Sequence, residues 1–432
     1  MKSLKIGIFG LGTVGTGTMD ILNTNTKLIE KQIGQSLTIK KVCVKDTGKT
    51  RSIDTGTTIM TSNINDILDD PEIDIIVELI GGIDISKSII ESAFIRGKHV
   101  VTANKDLVAL YGKELTQLAK KNNCQFLFEA AVAGAIPILH SLQFSLMANH
   151  IKKIGGIVNG STNYILTRME VEKLSLEQII EDATKLGYLE SDPSADLDGL
   201  DAARKCAILA SIGFHNLVTY NQVYSSGISN ITLEDIEYAR KLGYKIKLLA
   251  IAENNKDSVV ARVHPALLPI THPLSHVNYE YNAVYVNGDK LGSTMFYGSG
   301  AGSLPTGSAV VNDIIQIAKN IINNGKYEYA YDICENKKVM DIKDLSFPYY
   351  LKLQANHEKA STSHIIDVLS NNNIILNSID KYENKKNGQV IKKYVITTEE
   401  CKEKDFDLAL KDIKKLNFVE KIENIIRIER NL

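Results

Sequence analysis

Cysteine is sparse and poorly placed for either of its structural uses. The five residues, Cys43, Cys124, Cys206, Cys334 and Cys401, are scattered and odd in number. None forms a CxxC pair, so the spacing suggests neither a zinc site nor a disulfide framework. A reducing cytoplasm is the expected setting. An excess of one charge is missing too: the net charge is −1, which leaves no electrostatic case for nucleic acid or an anionic membrane as partner. Long apolar runs are also absent. None reaches the ~18 residues that a membrane span needs. The apolar segment Ile6–Phe9 runs straight into a glycine loop, unlike the core of a signal peptide. There is no internal repeat and no low-complexity tract. What remains is a globular composition, 44% hydrophobic and 23% charged, over 432 residues. That length exceeds one ordinary core, so two or three domains are expected.

The first motif follows a buried strand, Leu4–Phe9. Gly10, Leu11, Gly12, Thr13, Val14 and Gly15 spell GxGxxG, and a helical pattern opens near Val14. Strand, glycine turn and helix together point to a dinucleotide. The glycines allow a tight turn and close approach to a pyrophosphate, which meets the helix N-terminus. A second strand is expected over Leu37–Val44. At its end stands Lys45, where an acidic residue is usual, followed by Asp46. A cation there suits a 2′-phosphate and Asp46 suits a ribose hydroxyl; a solvated strand end is the bland alternative. A third strand is expected over Asp74–Ile80, apolar except for Glu78, and leads to Gly81 and Gly82. A helix over Asp84–Arg96 and a fourth strand, His99–Thr102, follow. Lys105 then lies at the carboxyl end of that strand, where such sheets bind ligands. A helix over Gly112–Asn122 and a fifth strand, Gln125–Glu129, complete the series.

From Ala130 the pattern changes. A run of small residues precedes a helix from Ile138 to about Met147. A strand over Ile151–Val158 ends in Asn159, which suits the N-cap of the next helix. Strands are expected over Lys245–Ala252, Val259–His264, Ala283–Val286 and Lys290–Tyr297, with Asn287-Gly288 as a hairpin turn. That reads as an antiparallel sheet covered by helices. A second glycine cluster, Gly298, Gly300 and Gly302, precedes Pro305 and a helix from about Thr306 to Asn323, expected to return to the first domain. The polar stretch 324–346 reads as a linker. Strand, helix, two strands, helix and strand then follow from Tyr349 to Ile428, the order of a ferredoxin-like module.

The most distinctive stretch runs from Gly187 through Glu190 and Asp192 to Asp196, Asp198, Asp201 and Lys205. Asp201 and Lys205 are four apart and share a helix face. An exposed ion pair beside a capped helix is one reading, and it would contribute little. A site that holds a cationic substrate with carboxylates and moves a proton with lysine is the other.

Taken in order, Gly10–Gly15, Thr102–Lys105, Glu129–Pro137, Asn159–Tyr164, Gly187–Lys205 and Gly298–Pro305 resemble homoserine dehydrogenase over almost the whole chain. The resemblance implies an α/β fold in parts. A Rossmann-like domain would span 1–130, completed by a helix near 305–324. An α+β catalytic and dimerisation domain with an antiparallel sheet would span 131–323. A linker at 324–346 and an ACT-like module at 347–432 would follow. It implies reversible oxidation of L-homoserine to L-aspartate 4-semialdehyde with NADP or NAD, in a cytoplasmic homodimer or homotetramer. Lys205 would give the proton with Lys105 as partner, and Glu190, Asp196, Asp201 and Gly187 would form the substrate side. Gly10 to Gly15, Lys45, Gly81, Lys105, Gly300 and Gly302 would face the cofactor. Glu129 with the carbonyls of Val132, Gly134 and Ile136 resembles the family's sodium site. The chain departs from the family at Ala135, Ser161, Leu189 and Gly307. It departs again over Ala355–Ala360, where an Asp-x-Pro-Gly effector loop is usual; a weak response to threonine is expected. Two rivals stand beside this reading: a cysteine-dependent aspartate-semialdehyde dehydrogenase using Cys124 or Cys206, and a non-catalytic nucleotide-dependent sensor.

Overall fold

The computed structural model describes residues 3–185, 192–325, 327, 329, 331, 333, 335–356, 361–386 and 389–432. Leu4–Phe9 is the central strand of the first domain, with Ile6, Ile8 and Phe9 fully buried. Across the sheet the order is Ile59–Thr61, Leu37–Cys43, Leu4–Phe9, Ile75–Glu78, His99–Thr102 and Phe126–Leu127, all parallel. The order reverses between Leu4–Phe9 and Ile75–Glu78, and ligands of such sheets bind at that switch. Ile59–Thr61 is a strand that the sequence pattern did not reveal. Three residues on a sheet edge are too few to show alternation.

The helix expected to return to this domain does so. It runs Ser303–Ile322, with Pro305 in its first turn, where the missing N–H has no partner to lose. It packs against the Thr13–Thr24 helix with backbone nearly touching backbone. A Cβ on Gly17 would lie 2.1 Å from Ser303 O, and one on Gly307 would lie 2.7 Å from Thr18 N. Gly307 is therefore fitted to this crossing.

The second half is a mixed sheet, not the purely antiparallel one expected. Among the described residues its order is Gly292–Ser299, Tyr281–Gly288, Ile151–Ile157, Tyr244–Asn254, Ser258–Pro269, Val419–Ile428, Tyr349–Ala355, Gln389–Thr398 and Leu376–Lys386. Ser258–Pro269 is antiparallel to Tyr244–Asn254 but takes three parallel partners on its other edge: Lys338–Val339, Tyr224–Ser225 and Val419–Ile428. The hairpin turn also differs. Asn287 and Gly288 are still in the strand, and Gly288 pairs with Gly292. The turn is Asp289–Leu291, and Gly292 supplies the left-handed backbone at φ 72°.

The C-terminal segment runs strand, helix and two strands from Tyr349–Ala355, then adds an unexpected short strand, Cys401–Lys402, which pairs with Ser346–Phe347, before its last helix and the strand Val419–Ile428. Its last strand joins the larger sheet at Ala266–Arg427 and Leu267–Ile428. Buried charge locks the two together. Arg262 Nη2 lies 3.0 Å from Glu429 Oε1, and Lys352 Nζ lies 2.7 Å from Asp235 Oδ1. Tyr350 and Asn424 donate to the same Asp235 carboxylate.

Candidate active site

The Thr102–Lys105 segment is shaped by one buried acid. Glu78, at the end of its strand, is fully buried, with no ion-pair partner among the described residues. Its carboxylate accepts from Thr102 Oγ1 at 2.7 Å, Ser86 Oγ at 2.9 Å and Ile80 N at 2.8 Å. Those bonds replace water for a buried charge. They also fix the end of one strand to the turn after the next. Asn104 then caps a helix by accepting from Leu107 N, and its amide donates to Gly82 O. The helix begins at Lys105, not near Gly112 as expected. Lys105 thereby stands just beyond the sheet's carboxyl end, next to the Asn104–Gly82 contact.

The opposing wall comes from the Leu200–Gly213 helix. Asp201 in its first turn and Lys205 one turn on share a face, as the four-residue spacing requires. Asp201 is buried and bridges both lysines. Its Oδ2 lies 2.8 Å from Lys205 Nζ, and its Oδ1 lies 2.7 Å from Lys105 Nζ. Next to this pair, Arg204 Nε lies 3.1 Å from Asp106 Oδ1. Lys205 also donates to Val158 O at 2.8 Å. Burial alone would raise the Asp201 carboxyl, but the two lysines hold it well below the usual carboxylate range. Burial would lower Lys105; the Asp201 charge and hydrogen bond outweigh it and raise the ammonium.

Asn159 organises the rest. It caps the Gly160–Glu172 helix by accepting from Thr162 N, and its Nδ2 lies 2.7 Å from Asp196 Oδ1 and 2.8 Å from Asp201 Oδ2. So Asp196, Asp201, Lys205 and Lys105 come together. Asp192 and Asp198 do not join them: both are exposed, and Asp192 accepts from Ser194 N. Gly187 and Glu190 lie outside the described residues.

The glycine turns meet on the same side. Gly10 has φ 94°, and a Cβ on it would lie 2.6 Å from Leu79 O; no such neighbour faces Gly12 within 4 Å. That open glycine at the start of the Thr13–Thr24 helix fits a pyrophosphate. Gly81 also faces open space, at φ 80°. Gly300 and Gly302 are held to this turn through Ser303 Oγ, which donates to Thr13 O at 2.6 Å. Lys45 is exposed just beyond the Leu37–Cys43 strand, whose Cys43 O accepts from Gly10 N. Asp46 is occupied locally, its Oδ1 accepting from Gly48 N.

Two family models match the chain: "Homoserine dehydrogenase, NAD binding domain" over residues 10–129 and "Homoserine dehydrogenase" over residues 137–315. The homoserine dehydrogenase of Bacillus subtilis is 41% identical over 100% of this chain and 99% of its own length. The chain belongs to the homoserine dehydrogenase family. The Synechocystis homoserine dehydrogenase is 40% identical over 99% of both chains. A crystal structure of the Thiobacillus denitrificans homoserine dehydrogenase superposes with a TM-score of 0.94 at 36% identity, over 99% of each chain. A hyperthermophilic archaeal homoserine dehydrogenase in complex with NADPH matches 73% of this chain and 97% of its own, with a TM-score of 0.61 at 29% identity. The chain is therefore an NAD(P)-dependent oxidoreductase.

For a homoserine dehydrogenase, Asn159 and the Val158 carbonyl are the site groups that sequence reading missed. Asn159 was legible only as a cap, and a backbone carbonyl has no residue signature. The cysteine rival finds no nucleophile. Burial pushes the Cys206 thiol up to about 12 and the Cys124 thiol up to about 11, so neither forms a thiolate at neutral pH. The 129–137 segment suits a monovalent ion in its donor chemistry. Glu129 is buried, and its carboxylate accepts from the backbone N–H groups of Leu139 and His140, with that of Ile138 beside them. Burial raises it to about 7. Among the described residues the carbonyls of Val132 and Gly134 accept no hydrogen bond, while that of Ile136 accepts from Ile138 N at 2.8 Å. No cluster of three or more His, Cys, Asp or Glu that could hold a transition metal occurs there.

Proposed function

We propose that this chain interconverts L-homoserine and L-aspartate 4-semialdehyde, and that Lys205 is the proton donor to the alkoxide. The observation that carries this reading is the Asp201 bridge between Lys205 and Lys105. The nicotinamide supplies or takes the hydride. The chain's own residues do the rest. The two ammonium groups stabilise the developing oxyanion, and Lys205 hands over a proton that Asp201 keeps oriented. Asp201 offsets the desolvation that would otherwise discharge Lys105. Asp196 and Asp201, with Glu190 and Gly187, hold the substrate's amino group. Gly10, Leu11, Gly12, Thr13, Val14, Gly15, Gly81, Gly300 and Gly302 line the cofactor.

The same reading assigns residues 1–130 and the helix near 305–324 to cofactor binding, 131–323 to catalysis and dimerisation, 324–346 to a linker, and 347–432 to an ACT-like module. Glu129 with the carbonyls of Val132, Gly134 and Ile136 would hold sodium, whose charge would balance the buried carboxylate. A homodimer or homotetramer in the cytoplasm completes it. Lys45, with Arg51 folded back on the Asp46 carbonyl, favours NADPH over NADH.

The test is steady-state reduction of aspartate semialdehyde with each cofactor. The reading expects turnover with both and a higher kcat/KM for NADPH, with Lys45→Ala weakening NADPH selectively. No turnover with either would refute the function. A several-fold preference for NADH would refute the role of Lys45 alone.

A further inference from the structure

Asn282 lies where the two halves of the site meet, and nothing in the reaction scheme above uses it. It is 1% exposed, and neither its Nδ2 nor its Oδ1 has a hydrogen-bond partner among the described residues. A donor and an acceptor buried unpaired cost free energy. Their retention makes sense if another state of the enzyme pairs them. The surroundings indicate which state.

The amide lies flat against Gly300: a Cβ there would be 2.1 Å from Nδ2 and 2.4 Å from Oδ1. On the other side, a Cβ on Gly160 would be 3.6 Å from Oδ1 and 2.7 Å from Glu280 O. Gly300 opens the short connection from the Gly292–Ser299 strand to the Ser303–Ile322 helix, which reaches the dinucleotide turn through Ser303 and Thr13. Gly160 follows Asn159, which holds both Asp196 and Asp201. The amide thus lies between Gly300 and Gly160 and, among the described residues, bonds to neither.

We propose that Asn282 is a positioning residue whose amide gains its hydrogen bonds from these two segments when cofactor and substrate are both in place. It couples the two binding events, and coupling of this kind is reciprocal. The inference rests on the homoserine dehydrogenase reading.

Asn282→Leu keeps the outline and removes both polar atoms. The experiment compares it with the wild type by thermal melting of the free enzyme and by NADPH titration with and without saturating homoserine. NADPH and homoserine are both reduced, so they form a complex that cannot react. The wild type should bind NADPH several-fold tighter with homoserine present. The variant should melt at or above the wild-type temperature and bind NADPH alone within twofold of wild type. It should lose the tightening, and its kcat should fall tenfold or more. Wild-type tightening kept in the variant would overturn the proposal. So would a variant melting well below wild type, which would mean the amide is already paired in the free enzyme. A wild type without tightening would overturn it as well. Wild-type turnover, measured on the same preparation, tests the functional reading separately.

Discussion

Lys105 Nζ lies 2.7 Å from Asp201 Oδ1, and this contact joins the helix leaving the dinucleotide-binding sheet to the helix that carries Lys205. The neighbouring Asp106–Arg204 pair has the opposite polarity, so the two helices are held in one register by charge. Arrangement of the acid–base groups is therefore a property of how the domains dock.

Asn159 should matter for geometry more than for binding. Asn159→Ala removes the helix cap, which costs about 1 kcal/mol, releases Asp196 and takes one partner from Asp201, which keeps both lysines. A displacement near 1 Å can cost ~10²-fold in rate, so kcat should fall about 10- to 100-fold. Asn159→Asp keeps an acceptor for the cap but sets a third carboxylate against Asp196 and Asp201. It should recover stability and not activity. An Asp variant with wild-type turnover would show that the amide bridge is dispensable.

Lys247 gives a pH dependence of stability. It is buried, and its Nζ donates to Asn163 Oδ1 at 2.9 Å and to Val277 O. Burial, with a smaller push from Lys245, lowers its pKa from 10.5 to about 7. Between these values the unfolded chain binds a proton that the folded chain does not. Stability from this group therefore rises with pH from about 7 toward 10.5 and is lost below. Denaturant melts of wild type and Lys247→Met from pH 7 to 9.5 should show that rise in the wild type only. Parallel curves would mean that Lys247 stays charged in the fold.

The C-terminal segment should not be removable without damage. Truncation after Lys343 would take Glu429 from Arg262 and Lys352 from Asp235. It would also remove the Val419–Ile428 strand, which pairs with Ser258–Pro269, and bring that edge and its apolar packing into water. Thermal melting of the truncated chain should fall sharply, and soluble yield with it. A truncated chain that melts like the full one would show that these pairs contribute little.

Legibility in the sequence followed locality. GxGxxG after a strand announced itself, because strand, turn and helix are adjacent. The Asp201–Lys205 spacing gave a correct helix face for the same reason. The start of the Lys105 helix was misplaced at Gly112, and the reason is a distant residue. A Cβ on Gly112 would lie 2.7 Å from the Tyr331 ring, so this glycine makes room for packing within a helix. The parallel partners of Ser258–Pro269 were invisible for a similar reason, since they come from three separate segments. Lys105 and Asp201 could each be named as candidates, but their contact depends on the docking of two sheets.

The central claim is that Lys205, held by Asp201, gives the proton. The direct test is turnover of aspartate semialdehyde with NADPH by Lys205→Ala beside NADPH binding by the same variant. The account predicts a loss of ~10²-fold or more in kcat, the size expected for a general acid, with NADPH affinity close to wild type. A variant that binds NADPH normally and turns over at the wild-type rate would contradict it.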